Sequence, residues 1–215
     1  MKIDLDRGRR YAAWGLIAIL MAAARGGLFA ETELSSREGM DRRDAASLGA
    51  IQTPDTVIQE WPEPPRSLAR LMIAQYGQPD RFGENALAWD DNGIWKRSVV
   101  HRRAWPRSAK ARDKDFLEQS VVYHVPPDKQ AELKAFDNRV EFDAVTGRLS
   151  SRSESESMNY LALNLANEVI VGVRGAAEAR ELYRKTRRLA QSGKSSPYLE
   201  GLLFHPSPTP EDLRP

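Results

Sequence analysis

The chain has 215 residues, with 32 Lys and Arg against 30 Asp and Glu, a formal net charge of +2, and no cysteine. Lack of cysteine excludes disulfides, thiol catalysis and a lipid-bearing N-terminal cysteine, and a chain of this length builds a hydrophobic core without covalent or metal staples. So small a net charge names no partner, and the distribution of charge carries the information instead.

Lys2, Arg7, Arg9 and Arg10 precede 14 uncharged residues, Tyr11 to Ala24, in the layout of a bacterial export signal. At about 1.5 Å per residue that run spans roughly 21 Å, short of a ~30 Å hydrocarbon core, which favours a cleaved signal over residues 1–24. Ala22 and Ala24 supply the small side chains ahead of the cut. The alternative is an uncleaved inner-membrane anchor from Tyr11 to Ala30, which must carry Arg25 at about 2.5–3.5 kcal/mol if central. Arg9-Arg10 also matches a twin-arginine pattern weakly, since adjacent arginines are common. The expectation is export to the periplasm or tethering at the inner membrane.

Residues 25–65 are polar, charged and proline-bearing, and read as a flexible linker ending in Trp61-Pro62-Glu63-Pro64-Pro65. Trp61 is either docked on the domain as part of an extended strap or an incidental linker aromatic. A single domain is expected over 66–204. It opens with Ser67 as N-cap of a helix presenting Leu68, Leu71, Met72 and Tyr76 and stopped at Gly77-Gln78-Pro79. Leu87–Trp89 forms a short strand, and Asn92-Gly93 is a two-residue hairpin signal. The return strand, Ile94 to Arg103, puts Trp95, Arg97, Val99 and His101 on one face.

A basic loop fills 104–115. Leu117, Gln119, Val121, Tyr123 and Val125 then alternate as a half-buried strand, and a short helix over Asp128–Phe136 follows. Val140–Ala144 and Arg148–Arg152 make a second hairpin, turned at Thr146-Gly147. Ser153 and Glu156 form a capping box for a helix with Met158, Leu161, Ala162, Leu165 and Val169 inward. A last helix runs from Ala176 to Ala190, and residues 205–215 form a loose tail. With no parallel crossover unit, the pattern predicts an α+β fold: an antiparallel sheet of about five strands with helices packed on one face.

The runs Tyr76-Gly77-Gln78-Pro79-Asp80, Leu87-Ala88-Trp89, Asn92-Gly93-Ile94-Trp95-Lys96-Arg97, Leu117-Glu118-Gln119, Asn159 to Ala166 and Tyr198 to Phe204 resemble a group of uncharacterised bacterial proteins, over about residues 66–204. That resemblance implies no activity. The helix, turn and tryptophan-bearing hairpin are also similar to small outer-membrane assembly lipoprotein modules, from which the chain departs by lacking the lipidated cysteine.

From Gly93 to Lys114 there are eight Lys or Arg residues against only Asp113. Trp95, Lys96, Arg97, Arg102, Arg103, Trp105 and Arg107 therefore form the candidate binding set, suited to an anionic lipid, an anionic polymer or an acidic protein surface. Nucleic acid uses the same chemistry, and export disfavours it. The competing reading is a solvated basic loop whose tryptophans serve the core. His101, Glu118 and His124 are the one conceivable base or zinc set, without the short spacing that would support it. Ser195-Ser196 read as a cap and turn, Asp90-Asp91 as a hairpin turn, and Asn159, Asn164 and Asn167 as polar-face residues. No cofactor, metal or catalytic residue is assigned. The expectation is a non-enzymatic exported binding module; the alternative is an envelope enzyme with a site between sheet and helices.

Overall fold

The computed structural model describes residues 52–104 and 114–206. Its element order is α1 (Pro54–Gln59), α2 (Glu63–Tyr76), β1 (Arg81–Gly83), β2 (Ala86–Asn92), β3 (Trp95–His101), β4 (Leu117–Val122), a 3-10 turn (Pro127–Lys129), α3 (Gln130–Phe136), β5 (Val140–Asp143), β6 (Arg148–Ser153), α4 (Glu156–Ile170), α5 (Ala176–Gln191) and α6 (Pro197–Glu200). The fold is α+β. The strands form one six-stranded antiparallel sheet in the order β1-β2-β3-β4-β6-β5, one strand more than expected, because Arg81–Gly83 pairs with Ala86–Ala88.

The helices cover one sheet face. Leu87, Trp89, Val100 and Leu117 pack with Ile58, Trp61, Ala69 and Met72 of the α1–α2 segment, while Trp95, Val121 and Leu149 pack with Leu161, Leu165 and Ala166 of α4. Burying each Val, Leu, Ile or Met among them stabilises by about 1.5–3 kcal/mol relative to leaving it exposed. The opposite face, bearing Arg97, Val99, His101, Glu118, Ser120, Glu141 and Ser150, has no helix on it among the described residues and forms a shallow trough of about 500 Å³.

The structure differs from the expected linker over residues 53–65. Thr53 caps α1 in a reciprocal capping box with Thr56, and Ile58 and Trp61 are buried. The indole Nε1 of Trp61 donates to the Glu84 carbonyl at 2.9 Å. The docked element is helical rather than an extended strap. Pro62 is the N-cap of α2, and Pro64 and Pro65 lie in its first turn, where backbone N–H groups have no intrahelical partner to lose. A proline run that looks like a breaker thus starts a helix. Ser67 is inside α2, donating its hydroxyl to Glu63 Oε1 at 2.7 Å, and Leu71 faces solvent, so the buried stripe is Pro65, Ala69 and Met72.

The β2–β3 hairpin also differs in register. Asn92 pairs with Trp95, so the loop residues are Gly93 and Ile94, and of these only Gly93 has positive φ, at 70°. Side-chain alternation breaks here. Trp95 lies on the helix-covered face, while Arg97, Val99 and His101 lie on the bare one. The break coincides with Asp91 taking a left-handed φ of 49° within β2.

At the other end of the domain, Ser155 rather than Ser153 caps α4, placing Glu156 at its first helical position. Asn159 and Asn164 are buried rather than polar-face residues. Burial obliges both to find partners. Asn164 Nδ2 donates to the Tyr198 and Gly201 carbonyls, and its Oδ1 accepts from Leu203 N at 2.7 Å, which pins the segment after α6 across α4.

Candidate functional site

Five members of the candidate binding set, Trp95, Lys96, Arg97, Arg102 and Arg103, lie within the described residues, and of these Trp95 is buried rather than exposed for binding. Trp95 is 1% exposed, its ring stacks on Tyr160 with centroids 5.1 Å apart, and its Nε1 donates to Glu156 Oε2 at 3.0 Å. Lys96 pairs with Asp91 at 2.8 Å, Arg97 Nε lies 3.9 Å from Asp90 Oδ1, and Arg102 binds Glu84 at 2.9 Å and the Glu60 carbonyl at 3.1 Å. Arg103 is exposed. Trp105 and Arg107, with Lys110 and Arg112, lie outside the described residues. Lys96 and Arg97 of β3 and Arg102 just beyond it are thus each set beside an acid of β2 or of the β1–β2 turn.

On the bare face, register sets Glu118 of β4 opposite Val99 of β3 and Arg152 of β6. Glu118 Oε2 lies 3.1 Å from His101 Nε2 and accepts from Arg152 Nε at 2.9 Å. An ionised carboxylate only accepts, so the imidazole nitrogen facing it carries the proton. Burial opposes ionisation of Glu118, but the hydrogen bonds from His101 and Arg152 outweigh it and lower the pKa to about 2. His124 is exposed beyond the end of β4, so the pair that forms is His101–Glu118. Among the described residues no group of three or more His, Asp or Glu is placed to hold a metal ion.

The second centre is Glu156, on the helix-covered side. Its Oε2 accepts from Tyr76 Oη at 2.7 Å, Gln119 Nε2 at 2.7 Å and Trp95 Nε1 at 3.0 Å, and its Oε1 accepts from Tyr160 Oη at 3.1 Å and Gln75 Nε2 at 3.2 Å. All five donors are uncharged. Burial works against the ionised form here too, and the bonds from Tyr76, Gln119, Gln75 and Tyr160 overcome it, so the carboxyl titrates below its ordinary value. Conversely, burial and the neighbouring carboxylate push both tyrosines up. Gln119 is oriented in turn: Asn159 Nδ2 donates to its Oε1 at 3.0 Å, and Asn159 Oδ1 accepts from Ser153 Oγ at 2.8 Å. One network thus joins α2, β3, β4, β6 and α4.

Tyr76 and Tyr160 also form a wall of a groove of about 620 Å³, completed by Ile94 at the hairpin tip and by residues 200–206. Asn164 holds that second wall in place. Ile94 and Leu203 are about half exposed, at 47% and 56%, so apolar surface faces solvent across the groove. The volume falls in the ~300–1,000 Å³ range of small-molecule sites, and the lining is the usual mixture of apolar walls with a few polar groups.

Sequence reasoning missed this centre because Glu156 was accounted for as a helix cap. The available signal was Gln119. It occupies an inward position of an alternating strand, where an amide demands a buried partner. With the geometry in hand, comparison with known proteins adds no relative: no family model, no curated protein and no solved structure matches the chain. No described helix is long and apolar enough to cross a membrane.

Proposed function

We propose that the protein is an exported, non-enzymatic binding module that holds its ligand in the groove between Tyr76, Ile94, Tyr160 and residues 200–206. The observation that carries this reading is the state of the two carboxylates beside the concave sites. Glu118 is held through its Oε2 by His101 and Arg152, and Glu156 through both oxygens by five neutral donors, so both are kept in the ionised form. A general base works best with a pKa near the operating pH, and a carboxylate near 2 is a poor one. Such groups build walls and fix side chains. The groove that Glu156 supports pairs aromatic surface with solvent-exposed Ile94 and Leu203, an arrangement suited to recognition.

Titration with the neutral fluorophore N-phenyl-1-naphthylamine tests the groove. Saturable one-to-one binding that is lost in Leu203→Glu, a change at an exposed position, supports the reading; no binding, or binding unchanged by that substitution, refutes it. Export rests on the basic-then-apolar leader, and a fusion of residues 1–35 to a reporter active only after export tests it, with activity confined to the cytoplasm as the contrary result.

A second contact surface follows from Arg103, exposed at the end of β3 where the chain enters the stretch carrying Arg107, Lys110 and Arg112. An anionic lipid, polymer or acidic protein is its chemical complement. Binding of the purified domain to anionic vesicles should fall steeply between low and physiological salt; indifference to polyanions and vesicles at low ionic strength would remove this surface from the account.

A further inference from the structure

Resting on the groove reading above, we infer that the ligand class taken there is a small organic cation, specifically a quaternary ammonium group carried on an apolar body. The charge of the lining points that way. Glu200 stands in the groove wall, and among the described residues no Lys or Arg lines it. Directly behind the tyrosine wall sits Glu156, whose negative charge is met only by uncharged donors and is therefore not cancelled by a contact ion pair. The Coulomb field of an uncompensated carboxylate behind low-dielectric aromatic groups favours a cation and repels an anion.

The aromatic groups supply the short-range part. One face of the Tyr160 ring is covered by Trp95, and its hydroxyl is committed to Glu156, so the remaining face and edge are what it offers the groove. The Tyr76 hydroxyl is committed in the same way. A phenol donating to a carboxylate gains electron density in its ring, which strengthens attraction for a cation held over it. Such contacts strengthen as the cation is desolvated against the ring.

The hydrogen-bond inventory separates quaternary from primary ammonium. A primary ammonium has three N–H groups whose water bonds must be replaced wherever it settles against an apolar wall. Glu156 offers it no vacant acceptor, since both its oxygens already accept from tyrosine and other donors, and Glu200, whose Oε1 accepts from Ser195 Oγ at 2.5 Å, keeps Oε2 for a ligand, one carboxylate oxygen against three N–H groups. A quaternary ammonium has no such bonds to replace. The groove thus presents negative potential and aromatic surface with few free acceptors, which is the chemistry that discriminates between the two.

The test is an NMR or calorimetric titration of the full chain with (2-hydroxyethyl)trimethylammonium and with its uncharged isostere 3,3-dimethylbutan-1-ol, which differs in charge but hardly in shape. His205 lines the groove and opposes a cation only when protonated, so the titration is run at pH 8. The cation is expected to bind at least tenfold more tightly than the isostere. Glu200→Gln should reduce cation affinity about threefold or more while leaving the isostere unchanged, and 2-aminoethanol should bind more weakly than the quaternary compound. Equal affinity for cation and isostere, or a cation preference that Glu200→Gln leaves intact, overturns the inference. If N-phenyl-1-naphthylamine binds and cation preference is absent, the groove stands and only its ligand class falls. If neither binds, the groove reading itself has failed.

Discussion

The two faces of the sheet each centre on a glutamate held below its ordinary pKa, and they achieve it by opposite means. On the bare face Glu118 is neutralised by the charge of Arg152, with His101 as a second hydrogen-bond partner. On the covered face Glu156 is held by five neutral donors drawn from α2, β3, β4 and α4. The difference has consequences. A charge pair at a partly exposed sheet surface depends on ionic strength and tolerates loss of a partner, whereas a neutral network in the core depends on geometry and fails where any donor is left unpaired. Glu118 fastens three neighbouring strands. Glu156 ties the N-terminal helices to the sheet and stiffens the groove.

The largest effect is expected from Glu156→Ala. It removes the acceptor from Trp95 and Gln119, both buried, and from two tyrosines. A loss of about 3–5 kcal/mol in urea unfolding is predicted, since orphaned buried donors each cost ~1–3 kcal/mol. A loss below about 1 kcal/mol would break the contrast between the faces. Next comes Asn164→Ala, which releases the Tyr198 and Gly201 carbonyls and Leu203 N. We expect about 2–3 kcal/mol of destabilisation, together with cleavage by added protease near Leu202 and loss of fluorophore binding. Retained binding would show that the pinned segment is not the groove wall.

Glu118→Gln should cost only about 1 kcal/mol at low salt, and less in 1 M NaCl, because the pair is partly exposed and screened. The Glu156→Ala cost should be nearly unchanged by the same salt. Smallest is the pH effect. Glu118 has a folded pKa of about 2 against an ordinary 4.5, so between these values the unfolded chain binds more protons than the folded one. Its contribution is complete above about pH 4.5 and is lost as pH falls towards 2. Glu118→Gln should therefore flatten the acid limb of the stability profile by a few tenths of a kcal/mol per pH unit. A steeper acid limb in the variant would contradict the assignment.

Much of the fold was legible because its signals were local and periodic. Leu117, Gln119 and Val121 face inward as their alternation requires, and Gly77 and Gly147, each with positive φ, mark the helix stop and the hairpin turn where expected. The first thirteen described residues after Gln52 were not, because proline counts as a breaker in composition but is harmless in a first helical turn. Trp95 was assigned to the wrong face by strict alternation, which a left-handed Asp91 interrupts without any mark in the sequence. Nor was the groove legible. Tyr76, Glu156 and Tyr160 meet only through the sheet register and α4 packing, and spacing along the chain does not record that.

The most direct test of the central claim is a chemical-shift map of the protein titrated with N-phenyl-1-naphthylamine. Binding at the groove predicts saturating shifts concentrated at Ile94, Tyr160, Leu203 and Phe204, with the Trp95 indole N–H moving through its stack on Tyr160. Shifts centred on His101, Glu118 and Ser150 of the bare face, or none that saturate, would contradict it.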